Sequence, residues 1–140
     1  MHRFPTAGEL AEGLGGRTYG MSRRGEPLLV TTIGTGERNA LVFAGPHPDE
    51  PVGFLTIRAL ARVLTGEPAR RAGMRWHLVP CVDPDGARLN EGWYAHPGDR
   101  AAYGRHHYRP AFAEQVEWTF GDPMPETAAL AALIDELRPA

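Results

Sequence analysis

Leu41-Val-Phe-Ala-Gly-Pro-His47-Pro-Asp-Glu50-Pro-Val-Gly53 is the stretch on which the reading of this chain turns. Leu41 to Ala44 are four apolar residues and predict a short buried strand. Gly45 and Pro46 stop it, and His47 and Glu50 stand three residues apart where it has ended. Pro51 suits a first helical position, and Val52, Leu55, Ile57, Leu60, Ala61 and Leu64 then repeat at helical spacing up to Gly66. In open α/β sheets ligands bind beyond the carboxyl ends of strands, which is where this pair falls. Neutral imidazole and carboxylate are both good ligands for Zn²⁺, so His47 and Glu50 are candidate metal ligands. The spacing alone is cheap, since His96 and Asp99 make a similar pair; the strand before it and the helix after it single out 47 and 50.

A chain of 140 residues has room for one core and reads as a single domain, 1–140. Its 42% apolar content suits a globular protein in water, while 13 Pro and 17 Gly foretell long irregular segments. A net charge of −2 with mixed signs leaves no basic footprint for nucleic acid. No run approaches the ~18 apolar residues of a membrane span, and the start, Met1 to Thr6, lacks the apolar core of a secretory signal. The expectation is a cytoplasmic protein with no membrane or nucleic-acid partner. The single cysteine, Cys81, excludes an internal disulfide and a cysteine-rich zinc site, and reads as a small buried hydrophobe in a strand.

Before the central stretch, Thr6 can cap a short helix carrying Leu10, Ala11 and Leu14 and ending at Gly15-Gly16. Arg17 to Ser22 and Pro27 to Ile33 predict two strands of a hairpin joined at Arg24-Gly25-Glu26. Gly34 to Asn39 reads as a second hairpin turn; Gly34 and Gly36 lack the third glycine and the Lys-Ser/Thr of a phosphate loop.

After the helix, Glu67 to Gly73 is a charged connection and Met74 to Val82 a further strand, with the alternation of one near a sheet edge or partly covered. His77 falls on the face opposite Trp76. Asp83-Pro-Asp-Gly86 is a strong turn signal, and Arg88 and Asn90 follow it directly. A guanidinium aimed from there into the crevice of His47 and Glu50 would stabilise a developing oxyanion. Glu91 to Glu114 shows no periodicity and reads as a long functional loop rich in aromatics, Arg100, Arg105, Arg109 and histidines. The vicinal pair His106-His107 would face opposite ways in an extended chain. Gln115 to Phe120 alternates like a strand, with Val116, Trp118 and Phe120 on one face. A last helix starts near Pro125 and carries Leu130, Ala131, Leu133, Ile134 and Leu137. An α/β pattern would next call for a strand, so the fold is expected to be incomplete at Ala140.

Phe43-Ala-Gly-Pro-His47-Pro-Asp-Glu50 followed by Val79-Pro-Cys-Val-Asp-Pro-Asp-Gly86-Ala-Arg88-Leu-Asn90 resembles the zinc carboxypeptidase family, the carboxypeptidase A-like metallopeptidases. That family carries a His-x-x-Glu zinc pair after a strand, then an Asn-Pro-Asp-Gly turn, then an arginine, often as Arg-x-Asn. The resemblance implies a carboxypeptidase-like α/β fold (phosphorylase/hydrolase-like), a mixed sheet flanked by helices, of which this chain is the N-terminal portion. It implies that His47 and Glu50 bind Zn²⁺, that Arg88 polarises the scissile carbonyl, and that Asn90 neighbours the substrate. Asp83 stands where the family has Asn. The family's carboxylate-clamping Asn-Arg pair has its counterpart in Val116 to Phe120, where Glu117 and Trp118 stand instead; Arg109 or Arg105 is the candidate substitute.

The implied activity is zinc-dependent hydrolysis of a peptide or other amide bond. The family's second zinc histidine and its general-base glutamate have no counterpart up to Ala140, so the isolated 140 residues are expected to be inactive. Two alternatives remain open: a metal-dependent deacylase of small N-acyl amino acids, favoured by the missing clamp, and a non-catalytic domain that binds a peptide or cell-wall fragment.

Overall fold

Gly25, at φ 84°, and Ser22, whose N–H donates to Glu26 O at 2.8 Å, turn the chain between its first two strands. They are β1 (Arg17–Met21) and β2 (Pro27–Ile33), paired antiparallel as the sequence predicts. The structure, a computed structural model, describes residues 16–121 and 123–140, with Glu9 and Leu14 besides. The helix expected from Thr6 lies outside the described residues.

β3 (Arg38–Phe43) and β4 (Met74–Val79) run parallel, and β4 also pairs antiparallel with β2. The sheet of the described residues is therefore mixed and four-stranded, in the order β1-β2-β4-β3. This order corrects three readings. β4 is an interior strand rather than one near an edge. β3 is an edge strand, as β1 is at the other side, and is half-buried, with Phe43 44% exposed. Gly34 to Asn39 is no hairpin turn, because β4 lies between the strands it joins. It crosses the start of β4 so closely that a Cβ on Gly36 would sit 2.1 Å from the carbonyl carbon of Gly73.

The parallel pair needs a crossover, and α1 (Val52–Gly66) supplies it. Its inward face is Phe54, Ile57, Ala61 and Leu64; Val52, at 65% exposure, and Leu55 point outward, so the face is turned from the predicted one and takes in Phe54. This helix packs with Leu78, Ala44 and Tyr94 on one side of the sheet. On the other side α4 (Pro125–Leu137) lays Leu130, Leu133 and Leu137 on Val30, Val79 and Val82. Successive residues Leu78 and Val79 thus serve opposite cores, as the period of a strand demands. His77 is buried, with Nδ1 3.0 Å from Thr32 Oγ1 and Nε2 3.1 Å from Asn39 Oδ1.

The turn and long loop expected from Asp83 to Glu114 are largely helical. Asp83 caps α2 (Pro84–Tyr94), its carboxylate accepting from Gly86 N–H, with Pro84 at the first position. Asp99 caps α3 (Arg100–His106) by accepting from Ala101 and Ala102. Both helices are too polar for an apolar period, and they hold by caps and by edge-to-face contacts of Trp93 with Tyr94 and Tyr103. The strand expected over Gln115 to Phe120 is instead a short 3₁₀ turn, Val116–Trp118. Only Val116 of its predicted face is buried; Trp118 and Phe120 are 59% and 50% exposed.

Candidate functional site

Because β3 and β4 are parallel, the chain leaves both at the same edge of the sheet. Pairing continues past β3, with Ala44 N–H donating to Val79 O and Val82 N–H to Ala44 O, so the two exits stay in register. Gly45 then turns at φ 74°, where a Cβ would strike the Phe54 ring at 2.4 Å. The loop from Pro46 to Pro51 lies against the start of α2: a Cβ on Gly86 would meet Pro48 at 2.5 Å. Tyr94, 1% exposed, donates its hydroxyl to Pro48 O from the far end of α2. The loop closes with Glu50 N–H donating to His47 O at 3.0 Å.

This loop brings His47 and Glu50 together, Nδ1 to Oε2 at 3.3 Å, at the mouth of an open crevice of about 280 Å³ that runs along Val42, Phe43 and Val52. The other imidazole nitrogen, Nε2, lies 2.6 Å from Glu117 Oε1. Partial burial draws the His47 pKa down, but the hydrogen bonds and charges of Glu117 and Glu50 outweigh it and raise the pKa above the ordinary imidazole value. The two carboxylates therefore favour the charged form of the ring more than water does.

That donor set fits a zinc ion. Two ligands each ~2.1 Å from a tetrahedral ion lie roughly 3.4 Å apart, the spacing of Nδ1 and Oε2. Glu117 stands where metal-ligating histidines commonly have an outer carboxylate that fixes tautomer and ring orientation. Among the described residues no group of three or more His, Cys, Asp or Glu is arranged to hold a metal, so this pair would supply two ligands and not a complete set.

The predicted arginine is placed elsewhere. Arg88 lies on the exposed side of α2 and forms a forked pair with Glu26 of the β1–β2 turn, Nε to Oε1 at 2.5 Å and Nη2 to Oε2 at 2.9 Å. Helical geometry explains this: two residues past Gly86, it has rotated away from Pro48. Asn90 is fully buried and its amide is spent inside the protein. Nδ2 donates to Gly86 O and Tyr108 O, and Oδ1 accepts from Trp93 Nε1 and Tyr108 N–H. It pins the chain at Tyr108 and so presents the next residue, Arg109. Arg109 Nη1 lies 3.6 Å from Glu50 Oε1 and 3.4 Å from Asp49 Oδ2, and Asp49 Oδ2 also faces His107 Nε2 at 3.2 Å. No contact links Arg105 to this cluster among the interactions of the described residues. His106 turns the other way and packs over Gly92.

Glu117 and Asp49 were not singled out as site residues by sequence. The signal for Glu117 was its place in the segment where a carboxylate clamp was expected; Asp49 lay unread inside the His-x-x-Glu pair.

A mixed sheet with helices on both faces, carrying His47 and Glu50 on the loop just past its parallel edge, is a carboxypeptidase-like α/β fold. No protein-family model matches the chain. Over 137 residues it is 34% identical to murein peptide amidase A of Escherichia coli (strain K12), a match covering 87% of this chain and 54% of that protein. The chain thus spans about half the length of the curated relative it matches. Its fold is similar to bovine thrombin-activatable fibrinolysis inhibitor solved with tick carboxypeptidase inhibitor, at a TM-score of 0.67 and 14% identity over 96% of this chain and 56% of that one. A second structure of thrombin-activatable fibrinolysis inhibitor matches at 0.63 and 15%, over 95% and 44%. In sequence and in fold the chain is thus similar to part of a carboxypeptidase-like hydrolase domain.

Proposed function

We propose that the chain carries the first part of a zinc-dependent amide-hydrolase site, acting on peptide bonds of the kind named for its murein peptide amidase relative. The observation that supports this best is the bracketed imidazole of His47, with Nδ1 toward Glu50 and Nε2 toward Glu117. His47 and Glu50 would hold the ion, which supplies a Lewis acid for the carbonyl and acidifies water. Glu117 holds the ring so that Nδ1 faces the ion. Arg109, not Arg88, is the guanidinium within reach of the metal pair, and its N–H groups suit the oxygen of the scissile carbonyl. Among the described residues no third ligand joins this pair, so the 140 residues alone are expected to show little or no peptidase activity.

The test is zinc content and turnover in a form that includes the rest of the domain. One tightly bound ion per chain, lost in His47→Ala together with hydrolysis of murein peptides, is the expected result. A fully active His47→Ala protein would sink the reading. Glu117 is turned onto His47 and offers no cationic clamp for a terminal carboxylate, which favours a deacylase as the second reading. A panel of N-acyl amino acids beside peptides separates the two.

A further inference from the structure

Asp49 lies between the two proposed metal ligands in sequence, and the proposed function gives it no role. Its side chain is 9% exposed, Oδ2 faces both His107 Nε2 and Arg109 Nη1, and Oδ1 is buried with no hydrogen-bond partner. Arg109 is at the same time shared with Glu50, Nη1 to Oε1 at 3.6 Å. One guanidinium therefore has two carboxylate seats, and one of them belongs to a proposed metal ligand. Glu50 cannot give full charge to a dication and to Arg109 together, because the two cations would stand within a few ångströms of one another. Asp49 has what the guanidinium needs when it leaves Glu50: a carboxylate largely withdrawn from water, with one oxygen unclaimed. A planar fork meets both oxygens of such a group.

We infer that Asp49 is a positioning residue that draws Arg109 off Glu50 when a dication binds, while keeping the guanidinium beside the metal pair. The inference rests on the reading of His47 and Glu50 as metal ligands. It makes metal affinity depend on Asp49 only while Arg109 is present.

The experiment titrates Zn²⁺ alone, by calorimetry, into a form that includes the rest of the domain, for wild type, Asp49→Asn, Arg109→Met and the double variant, with folding checked by circular dichroism. Asp49→Asn leaves Arg109 with Glu50 as its carboxylate seat and is expected to weaken zinc binding about five- to tenfold. Arg109→Met, at an exposed position, is expected to restore the affinity of Asp49→Asn to that of Arg109→Met alone. An equal loss on Asp49→Asn with or without Arg109 would overturn the inference, since Asp49 would then act on the ion directly. So would no loss at all. Should Asp49→Asn fail to fold, Asp49→Ser carries the same comparison. His47→Ala serves as the separate control: undiminished zinc binding there would remove the metal reading itself, and this inference with it.

Discussion

His47 Nε2 and Glu117 Oε1 lie 2.6 Å apart although 70 positions separate them in the chain. Glu117 comes from a short 3₁₀ turn, Val116–Trp118, whose buried Val116 packs in the core under α4. The carboxylate is therefore held by the fold and not by its own loop. Outer carboxylates of this kind typically change metal affinity about 10–100-fold when lost. Glu117→Ala is expected to weaken zinc binding within that range. Glu117→Gln, whose amide oxygen still accepts from Nε2–H, is expected to lose less. Competition with a zinc-binding dye measures both.

Arg88 pairs with Glu26 on an exposed surface, and such pairs contribute at most about 1 kcal/mol. Arg88→Ala should therefore leave zinc affinity unchanged and shift the urea midpoint only slightly. A large loss of zinc binding would show that Arg88 reaches the site after all.

Asn90 makes four hydrogen bonds in a fully buried place, two of them to the backbone of Tyr108. Asn90→Ala leaves Tyr108 N–H and Tyr108 O without these buried hydrogen bonds, at a cost of about 2–4 kcal/mol. The loss should concentrate around Arg109. Faster amide exchange at Tyr108 and Arg109 is the expected readout.

Arg23 holds two carboxylates that are withdrawn from water, Asp83 at 3.2 Å and Glu126 at 3.3 Å, with Asp85 at 3.9 Å. Removing one partner of a buried ion pair costs about 3–5 kcal/mol, because the other charge is stranded. Arg23→Met is expected to lose about that much in urea unfolding. Burial already raises the Asp83 pKa, against the pull of Gly86 N–H and Arg23. A carboxyl raised in the fold gains stability as pH falls through its folded pKa, so the deficit of Arg23→Met should narrow in acid.

His77 is a pH-sensitive part of the core. Burial lowers its pKa below the ordinary 6.5, helped by the charges of Arg75 and Arg17. The unfolded chain takes up a proton near pH 6.5 that the folded chain still refuses. Stability therefore falls from about pH 6.5 downward until the folded pKa is passed, and is unaffected by this group above it. Denaturant unfolding at pH 7.5 and 5.5 should show that loss, and His77→Gln should reduce it.

The elements with strong local period were legible along the chain: the β1–β2 hairpin, the strand before Gly45, the helix ending at Gly66 and the helix from Pro125. The helices from Pro84 and Arg100 were not, because they are short, polar and held by Asp83 and Asp99 as caps instead of by an apolar stripe. Strand order was out of reach too. Nothing local in Gly34 to Asn39 tells that β4 inserts between the strands it connects.

Sequence alone determined that an imidazole and a carboxylate leave a strand end together, since three residues after a Gly-Pro stop cannot travel far apart. Which arginine and which second carboxylate join them was decided by the tertiary structure. Arg88 is near in sequence but rides a helix that turns it to Glu26, whereas Arg109 and Glu117 are distant and are returned to His47 and Glu50 by the Asn90 clamp and the Val116 anchor. Side-chain direction follows from the element that carries a residue and from what that element packs on, and neither is a property of spacing along the chain.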